Sequence, residues 1–268
     1  MRYAFIINAM IGIFDSGIGG LTVAKEITKI LPQYDVIYLG DTARTPYGNK
    51  TPETIIKYSL ENTEFLIKKG AKIIVVACNT ASSFAIPHIK QKFNIPVFEV
   101  ISPAVNLAIK ESKKLSIGVI GTRGTINSNI YKNKINKINL KIKVYSTACP
   151  LLVSLVEEGW IKKSETKTII KKYLHSLKIK QIDTLILGCT HYPVLKNIIQ
   201  QKIGNRVRIV DSSIASALDI SNYLASHPEI NFSLSKNNIF QLYVSDLTNQ
   251  FKFLAKKIIA REVELKVI

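Results

Sequence analysis

The 268-residue sequence contains no apolar run near the roughly 18 to 20 residues needed to cross a bilayer, so we expect a soluble protein. Its three cysteines are an odd number and form no CxxC pair, which argues against a secreted disulfide framework and a structural zinc site. The N-terminal stretch is apolar, but Asn8 interrupts it and no small-residue cleavage site follows. These absences predict a protein of the reducing cytoplasm.

Arginine is scarce although the chain is strongly basic. The 37 basic residues outnumber the 19 acidic ones for a formal net charge of +18, but only six of them are arginine. Lysine lacks the planar fork that contacts phosphate or guanine in a bidentate manner. The densest lysine run, Lys132 to Lys143, alternates with Ile and Asn and predicts a solvated helix face leading into a strand. Nucleic acid is therefore not the expected partner, although a basic nucleic-acid-binding protein stays an alternative.

Short apolar runs alternate with helical patterns along the chain. This alternation indicates an α/β protein with a mostly parallel sheet, and the length suits one large domain or two of about 130 residues. Thr51 and Pro52 predict a helix start and Gly70 its end. The predicted strands are Ile11–Phe14, Val36–Leu39, Lys72–Ala77, Val97–Ile101, Leu115–Ile120, Ile142–Ser146, Thr184–Leu187 and Val207–Val210.

Two segments of the first half have counterparts in the second half. The stretch that begins at Ile11 (IGIFDSGIGG) resembles the one that begins at Ile117 (IGVIGTRGT). The stretches Ile73–Thr80 and Thr184–His191 also resemble each other, since each is a buried strand followed by a small residue, a cysteine and polar residues. We therefore expect two similar parallel-sheet α/β lobes, related by a pseudo-twofold axis. Because ligands bind at the carboxyl ends of parallel strands, the active site should lie in the cleft between the lobes.

The polypeptide should pass from one lobe to the other at two segments. These are Val97–Pro103 and Asp211–Ser213, which would return the C-terminal segment to the first lobe. The first lobe is then residues 1–101 plus 212–268, with Asp15 and Cys78, and the second is residues 102–211, with Glu157, Cys189 and His191.

Cys78 and Cys189 are the strongest candidates for catalysis. A cysteine at the end of a strand is usually only a small buried residue, but both of these precede polar residues that can bind a ligand or tune a thiol. Two thiols could also form a disulfide or bind a metal. The absence of a CxxC pair, and of nearby ligands other than His191, makes both alternatives weak. Thiols on opposite sides of one carbon suit racemisation, in which one face loses a proton while the other gains it. Since a free thiol has a pKa of about 8.5, one must be held as thiolate and the other as thiol, with His191 and Asp15 as the natural tuners.

Two loops after strands add candidates. Asp15 begins a glycine-rich loop that lacks the GxGxxG pattern, and its carboxylate would repel a phosphate, so we expect it to contact an amino group or a thiol. The loop from Asp41 to Gly48 reads, taken alone, as a Pro/Gly turn. Cys149 has no polar neighbour pair and is expected to be structural.

Together the motifs resemble those of glutamate racemase, in order from about Ile11 to Ser213. The matching segments are Asp15–Val23 (DSGIGGLTV), Gly40-Asp41 with Pro46–Gly48, Ala77–Ser83 (ACNTASS), Gly118–Thr122, Ala148–Pro150 with Val156–Gly159, and Gly188–Pro193 (GCTHYP). The resemblance implies a two-lobed enzyme that converts L-glutamate to D-glutamate for peptidoglycan without a cofactor or a metal.

The resemblance also implies roles for particular residues. Cys78 would take the α-proton from D-glutamate and Cys189 from L-glutamate, with Asp15, Glu157 and His191 assisting. The implied substrate-binding residues are Asp15, Ser16, Tyr47, Gly48, Asn79, Thr80, Thr122, Thr125, Thr190 and His191.

Three questions stay open at the level of sequence. Aspartate racemase shares the two-thiol logic and is the nearest alternative, which the relative activity on the two amino acids would decide. In some relatives an N-terminal extension accompanies activation by a cell-wall nucleotide precursor, and the ten residues before Ile11 are too short to settle that point. A homodimer is likewise left open.

Overall fold

Parallel strands form the framework of the computed structural model, which describes residues 9–260 and 263–268; most of the short N-terminal extension lies outside the described residues. The strands are β1 (Met10–Asp15), β2 (Val36–Gly40), β3 (Ala71–Val76), β4 (Val97–Glu99), β5 (Ser116–Gly121), β6 (Lys143–Ala148), β7 (Thr184–Gly188), β8 (Arg208–Asp211), β9 (Phe240–Val244) and β10 (Glu264–Val267). They form a six-stranded sheet in the order β10-β9-β2-β1-β3-β4 and a four-stranded sheet in the order β6-β5-β7-β8.

Helices connect the strands, as crossovers between parallel strands require. They are α1 (Leu21–Ile30), α2 (Pro52–Lys68), α3 (Asn79–Phe84), α4 (Ile86–Lys92), α5 (Ile101–Glu111), α6 (Arg123–Asn127), α7 (Ile130–Ile138), α8 (Leu151–Glu157), α9 (Ser164–Ile179), α10 (Lys196–Ile203), α11 (Ser212–Ser226), α12 (Pro228–Ser233) and α13 (Asn249–Ile259). Short 3-10 helices lie at Thr42–Arg44, Tyr47–Asn49 and Tyr192–Leu195.

The eight predicted strands all form, with ends within two residues of the prediction. One of the largest differences is the end of β4, which lies at Glu99, two residues before the predicted end. The strand stops there because helix α5 begins at Ile101, and the Glu99 carboxylate accepts hydrogen bonds from the backbone N–H groups of Ile101 and Ser102. The predicted start of α2 is confirmed, since Thr51 Oγ1 accepts from the backbone N–H of Thr54 at 3.4 Å. Strands β9 and β10 were not predicted and extend the first sheet beyond β2.

The same strand order occurs in both sheets. The order β2-β1-β3-β4 in one matches β6-β5-β7-β8 in the other, with parallel pairing throughout. Cys78 follows β3 and Cys189 follows β7, so the two thiols occupy corresponding positions at the carboxyl ends of strands. The predicted fold class of two parallel-sheet α/β lobes is confirmed, while the residue boundaries of the lobes stay a proposal.

Helices α5 and α11 join the two lobes into one hydrophobic core. Ile13 of β1, Ala104 of α5, Val119 of β5 and Ile220 of α11 belong to one cluster of buried side chains. Full burial of one large aliphatic side chain contributes about 1.5 to 3 kcal/mol, so a shared core of this kind holds the sheets in a fixed relation. No helix in the described part of the chain is long and apolar enough to span a membrane.

Candidate active site

Both catalytic candidates border one small cavity between the lobes. The cavity has an empty volume of about 290 Å³, and the side chains of Cys78 and Cys189 are each 5% exposed. Its lining residues are Ser16, Pro46, Tyr47, Gly48, Cys78, Asn79, Thr80, Thr122, Val153, Cys189, Thr190 and His191. A larger cavity of about 920 Å³ has Glu157 in its lining, but neither thiol borders it, so the chemistry of the lining points to the smaller one.

The Cys189 side of the cavity carries a thiol–imidazole–carboxylate chain. His191 Nδ1 lies 3.7 Å from Cys189 Sγ, and His191 Nε2 lies 3.1 Å from Glu157 Oε1. Burial alone would lower the pKa of His191, but its hydrogen bonds and charge interactions with Cys189 and Glu157 outweigh burial and raise that pKa well above 6.5. A protonated His191 stabilises negative charge on the sulfur beside it. The Cys189 sulfur therefore lies beside a positively charged group.

The Cys78 side has a different character. Cys78 Sγ donates to Ser16 Oγ at 3.6 Å and accepts from the backbone N–H of Ala81 at 3.5 Å. Burial, followed by the nearby negative charge of Asp15, raises the pKa of Cys78 from 9.0 to about 12. The surroundings of Cys78 therefore favour its thiol over its thiolate at neutral pH.

Asp15 is fully buried beside this thiol and connects the two lobes. Its Oδ2 accepts from the backbone N–H of Gly17 at 2.9 Å, and its Oδ1 accepts from Thr190 Oγ1 of the other lobe at 3.2 Å. Burial raises the pKa of Asp15 above 3.8, although the positive charge of His191 and the hydrogen bonds to Gly17 and Thr190 oppose the shift. Asp15 thus interacts with both thiol environments through charge and through Thr190.

Three threonine hydroxyls meet across the cleft. Thr80 Oγ1 of the first lobe lies 2.9 Å from Thr122 Oγ1 and 3.2 Å from Thr125 Oγ1 of the second lobe. Thr122 also caps α6, because its Oγ1 accepts from the backbone N–H of Thr125 at 3.2 Å. A cluster of hydroxyl donors at this point is suited to a carboxylate ligand.

Tyr47 borders the cavity while its hydroxyl points into a polar network behind it. Tyr47 Oη donates to Asp41 and accepts from Asn62 Nδ2, the latter at 3.0 Å. Arg44 Nε in turn contacts both oxygens of Asp41 at 2.8 Å. These hydrogen bonds therefore hold the segment from Asp41 to Gly48, which alone reads as a turn, in place beside the cavity.

The structure brings the predicted site residues together. Ser16, Tyr47, Gly48, Asn79, Thr80, Thr122, Thr190 and His191 line the cavity with the two thiols, whereas Asp15, Thr125 and Glu157 contact its lining residues from behind. Sequence reasoning missed Pro46 and Val153, which line the cavity without carrying functional groups.

Cys149, expected to be structural, is fully buried outside this cavity. Its Sγ donates to the backbone oxygen of Thr147 at 3.5 Å, and its backbone oxygen accepts from Tyr192 Oη at 2.8 Å. Within residues 9–260 and 263–268, no group of three or more His, Cys, Asp or Glu side chains is arranged to hold a metal ion.

Comparisons with known proteins show which family the chain belongs to. The family model described as Asp/Glu/hydantoin racemase matches residues 20–218. A curated glutamate racemase from Persephonella marina is 47% identical over 96% of this chain and 95% of its own length. The crystal structure of the glutamate racemase isoform RacE1 from Bacillus anthracis superposes with a TM-score of 0.91 at 37% identity, covering 97% of both chains. That of the Francisella tularensis glutamate racemase in complex with D-glutamate gives 0.89 at 38% identity, covering 98% of both. The chain belongs to the Asp/Glu/hydantoin racemase family and, within it, to the glutamate racemases.

Proposed function

We propose that the chain interconverts L- and D-glutamate without a cofactor, with Cys189 and Cys78 acting on opposite faces of Cα. The observation that carries the proposal is the pair of thiols on one small cavity, each with its own polar partners. Racemisation by this route needs one base and one acid in the same site, and the two sides of the cavity differ in the required way.

In the conversion of L-glutamate the two thiols have different tasks. Cys189, beside protonated His191, serves as thiolate and takes the α-proton, while the Cys78 thiol delivers its own proton to the opposite face of Cα. After one turnover Cys189 is a thiol and Cys78 a thiolate, which is the form that accepts D-glutamate. Exchange of protons with solvent restores the first form, in which protonated His191 stabilises the Cys189 thiolate and the negative charge of Asp15 favours the Cys78 thiol.

Residues that line the cavity can bind the α-carboxylate and the ammonium group of the substrate. The hydroxyls of Thr80 and Thr122 suit the α-carboxylate, whose negative charge grows when the proton leaves Cα. Asn79 Oδ1 is a buried acceptor without a hydrogen-bond partner in the described residues, so it suits a donor such as the ammonium group.

The test is a set of matched cysteine substitutions, assayed with glutamate in the presence of a chelator and without pyridoxal phosphate. Cys78→Ser and Cys189→Ser should each abolish net racemisation, because a serine hydroxyl is too weak a base to replace a thiolate. Cys149→Ser is the control and should stay active, since Cys149 does not border the cavity.

A β-hydroxylated glutamate separates the two faces, because loss of the β-hydroxyl needs only deprotonation at Cα. Cys78→Ser should still process one enantiomer of this analogue and Cys189→Ser the other. Near-normal racemisation by either variant, or loss of the same enantiomer by both, would contradict the proposal.

The proposal extends to the cellular role. We place the enzyme in the cytoplasm, where its D-glutamate supplies peptidoglycan synthesis, and we propose a homodimer that a cell-wall nucleotide precursor activates. Sedimentation at assay concentration tests the dimer. Racemisation rates with and without the precursor test activation, which an unchanged rate would contradict.

A further inference from the structure

Tyr131 joins the two lobes directly behind the thiols. It lies on α7 in the second lobe and is 3% exposed. Its Oη accepts a hydrogen bond of 2.8 Å from Nδ2 of Asn79, the residue that follows Cys78 in the first lobe. Burial, followed by the negative charge of Glu99, raises the pKa of Tyr131, so the hydroxyl remains neutral.

The ring of Tyr131 packs against the other catalytic segment. A Cβ atom built on Gly188 would lie 3.1 Å from Tyr131 Cε2, so the ring lies against the backbone of the residue that precedes Cys189. One side chain therefore contacts the residue after one thiol and the residue before the other.

The contact with Asn79 leaves one atom of the amide for a ligand. Asn79 lines the cavity, and its Oδ1 is buried without a partner in the part of the chain that the structure describes. An amide that moved away from this place would no longer present the acceptor to the cavity. The hydrogen bond with the Tyr131 hydroxyl holds the amide group in place.

We infer that Tyr131 is a positioning residue of the racemase site: its hydroxyl holds the Asn79 side chain in place at the cavity, and its ring supports the backbone at Cys189. The inference rests on the proposed function, in which Asn79 binds the substrate. The hydroxyl acts through a contact made equally in the ground state and the transition state, so its removal should change KM more than kcat.

Tyr131→Phe tests the hydroxyl while keeping the ring. KM for both enantiomers of glutamate should rise about tenfold, with kcat within about threefold of the parent value, as expected for loss of a hydrogen bond that orients a charged ligand's partner. Calorimetric titration with D-glutamate should show a matching rise in Kd. An unchanged KM and Kd would overturn the inference.

Tyr34→Phe is the matched control. Tyr34 is also buried, and its Oη donates to Asn231 Oδ1 at 2.7 Å, but this Tyr–Asn bond lies away from the cavity. Both substitutions should lower the melting temperature, and only Tyr131→Phe should change KM. Equal kinetic effects of the two would assign Tyr131 a purely structural role and contradict the inference.

A double-mutant cycle with Asn79→Ala shows whether Tyr131 acts through the amide. In the Asn79→Ala background the hydroxyl has no amide to hold in place, so Tyr131→Phe should change KM by less than about twofold. A tenfold effect in both backgrounds would contradict the inference. If the parent enzyme racemises glutamate and these effects are absent, the inference fails alone. If the parent enzyme does not racemise glutamate, the proposed function fails.

Discussion

Gly19 is the position at which one added methyl group should damage the site most directly. It lies in the loop between β1 and α1, and a Cβ atom there would lie 2.4 Å from Thr190 Oγ1 and 2.5 Å from His191 Nδ1 of the other lobe. Gly19 is not in the left-handed region, so alanine fits its backbone and the effect is one of space alone.

The size of the effect follows from these distances. Ordinary contact needs about 3.5 Å, so Gly19→Ala must displace the His191 ring by about 1 Å. His191 is 3% exposed and lies between Cys189 and Glu157, so a displaced ring loses its contacts with both. Overpacking of this kind costs about 1 to 3 kcal/mol of stability, and a displacement of about 1 Å in a catalytic group lowers the rate by about a hundredfold.

The assay is the initial rate of change in circular dichroism with L-glutamate and with D-glutamate. Gly19→Ala should lower kcat/KM about a hundredfold in both directions while the protein stays folded. The control is Gly204→Ala, where φ is +103° and an added Cβ meets nothing within 4 Å, so stability should fall without a loss of kcat/KM. A kcat/KM of Gly19→Ala within twofold of the parent value would show that the added methyl group does not displace His191.

Three further outcomes are expected. Burial raises the pKa of Asp15, so the stability that its protonated form contributes is fully present below pH 3.8 and is lost as pH rises through the pKa of the folded protein. The inactive variant Asp15→Asn should therefore have a melting temperature at pH 7 no lower than that of the parent. A clearly lower melting temperature would contradict this expectation. Burial raises the pKa of Cys78 to about 12, which favours its thiol at pH 8, whereas protonated His191 stabilises negative charge on Cys189. Mass spectrometry after iodoacetamide treatment should therefore show Cys189 labelled at least about tenfold faster, and equal labelling would count against the separate roles of the two thiols. Aspartate should have a kcat/KM more than about tenfold below that of glutamate, because a shorter acid leaves buried polar groups without partners, and similar values would show that the specificity is wrong.

Much of the fold could be predicted from the sequence because its parallel strands are buried on both faces. Such strands are nearly continuous apolar runs, as in Ile73–Val76, and short runs of this kind between helical patterns are easy to recognise. Strand β9, Phe240–Val244, has a polar residue within it and follows an Asn-rich segment, so its pattern is weaker. Strand β10 lies at the sheet edge and has alternating polar residues.

The candidate site was predictable where chemistry and repetition coincide. Cys78 and Cys189 end corresponding strands and precede polar residues, which the sequence displays directly. Tyr131 was missed because it begins a helix rich in Lys, Asn and Ile, where one tyrosine looks like an ordinary core residue. Its spacing from Ile135 indicates a buried face, but its contact with Asn79 depends on how the two lobes pack, and no local pattern encodes that.

Isotope incorporation in heavy water tests most directly whether two thiols act on opposite faces of one carbon. L-glutamate is incubated with the enzyme in deuterium oxide, and the deuterium content at Cα is measured in both enantiomers at low conversion. The proton removed by Cys189 stays on one side while Cys78 delivers a solvent-derived deuteron on the other. We therefore expect D-glutamate that is almost fully deuterated at Cα, beside remaining L-glutamate with little deuterium. D-glutamate that retains protium at Cα would show that a single base carries the proton from one face to the other and would contradict the two-thiol mechanism.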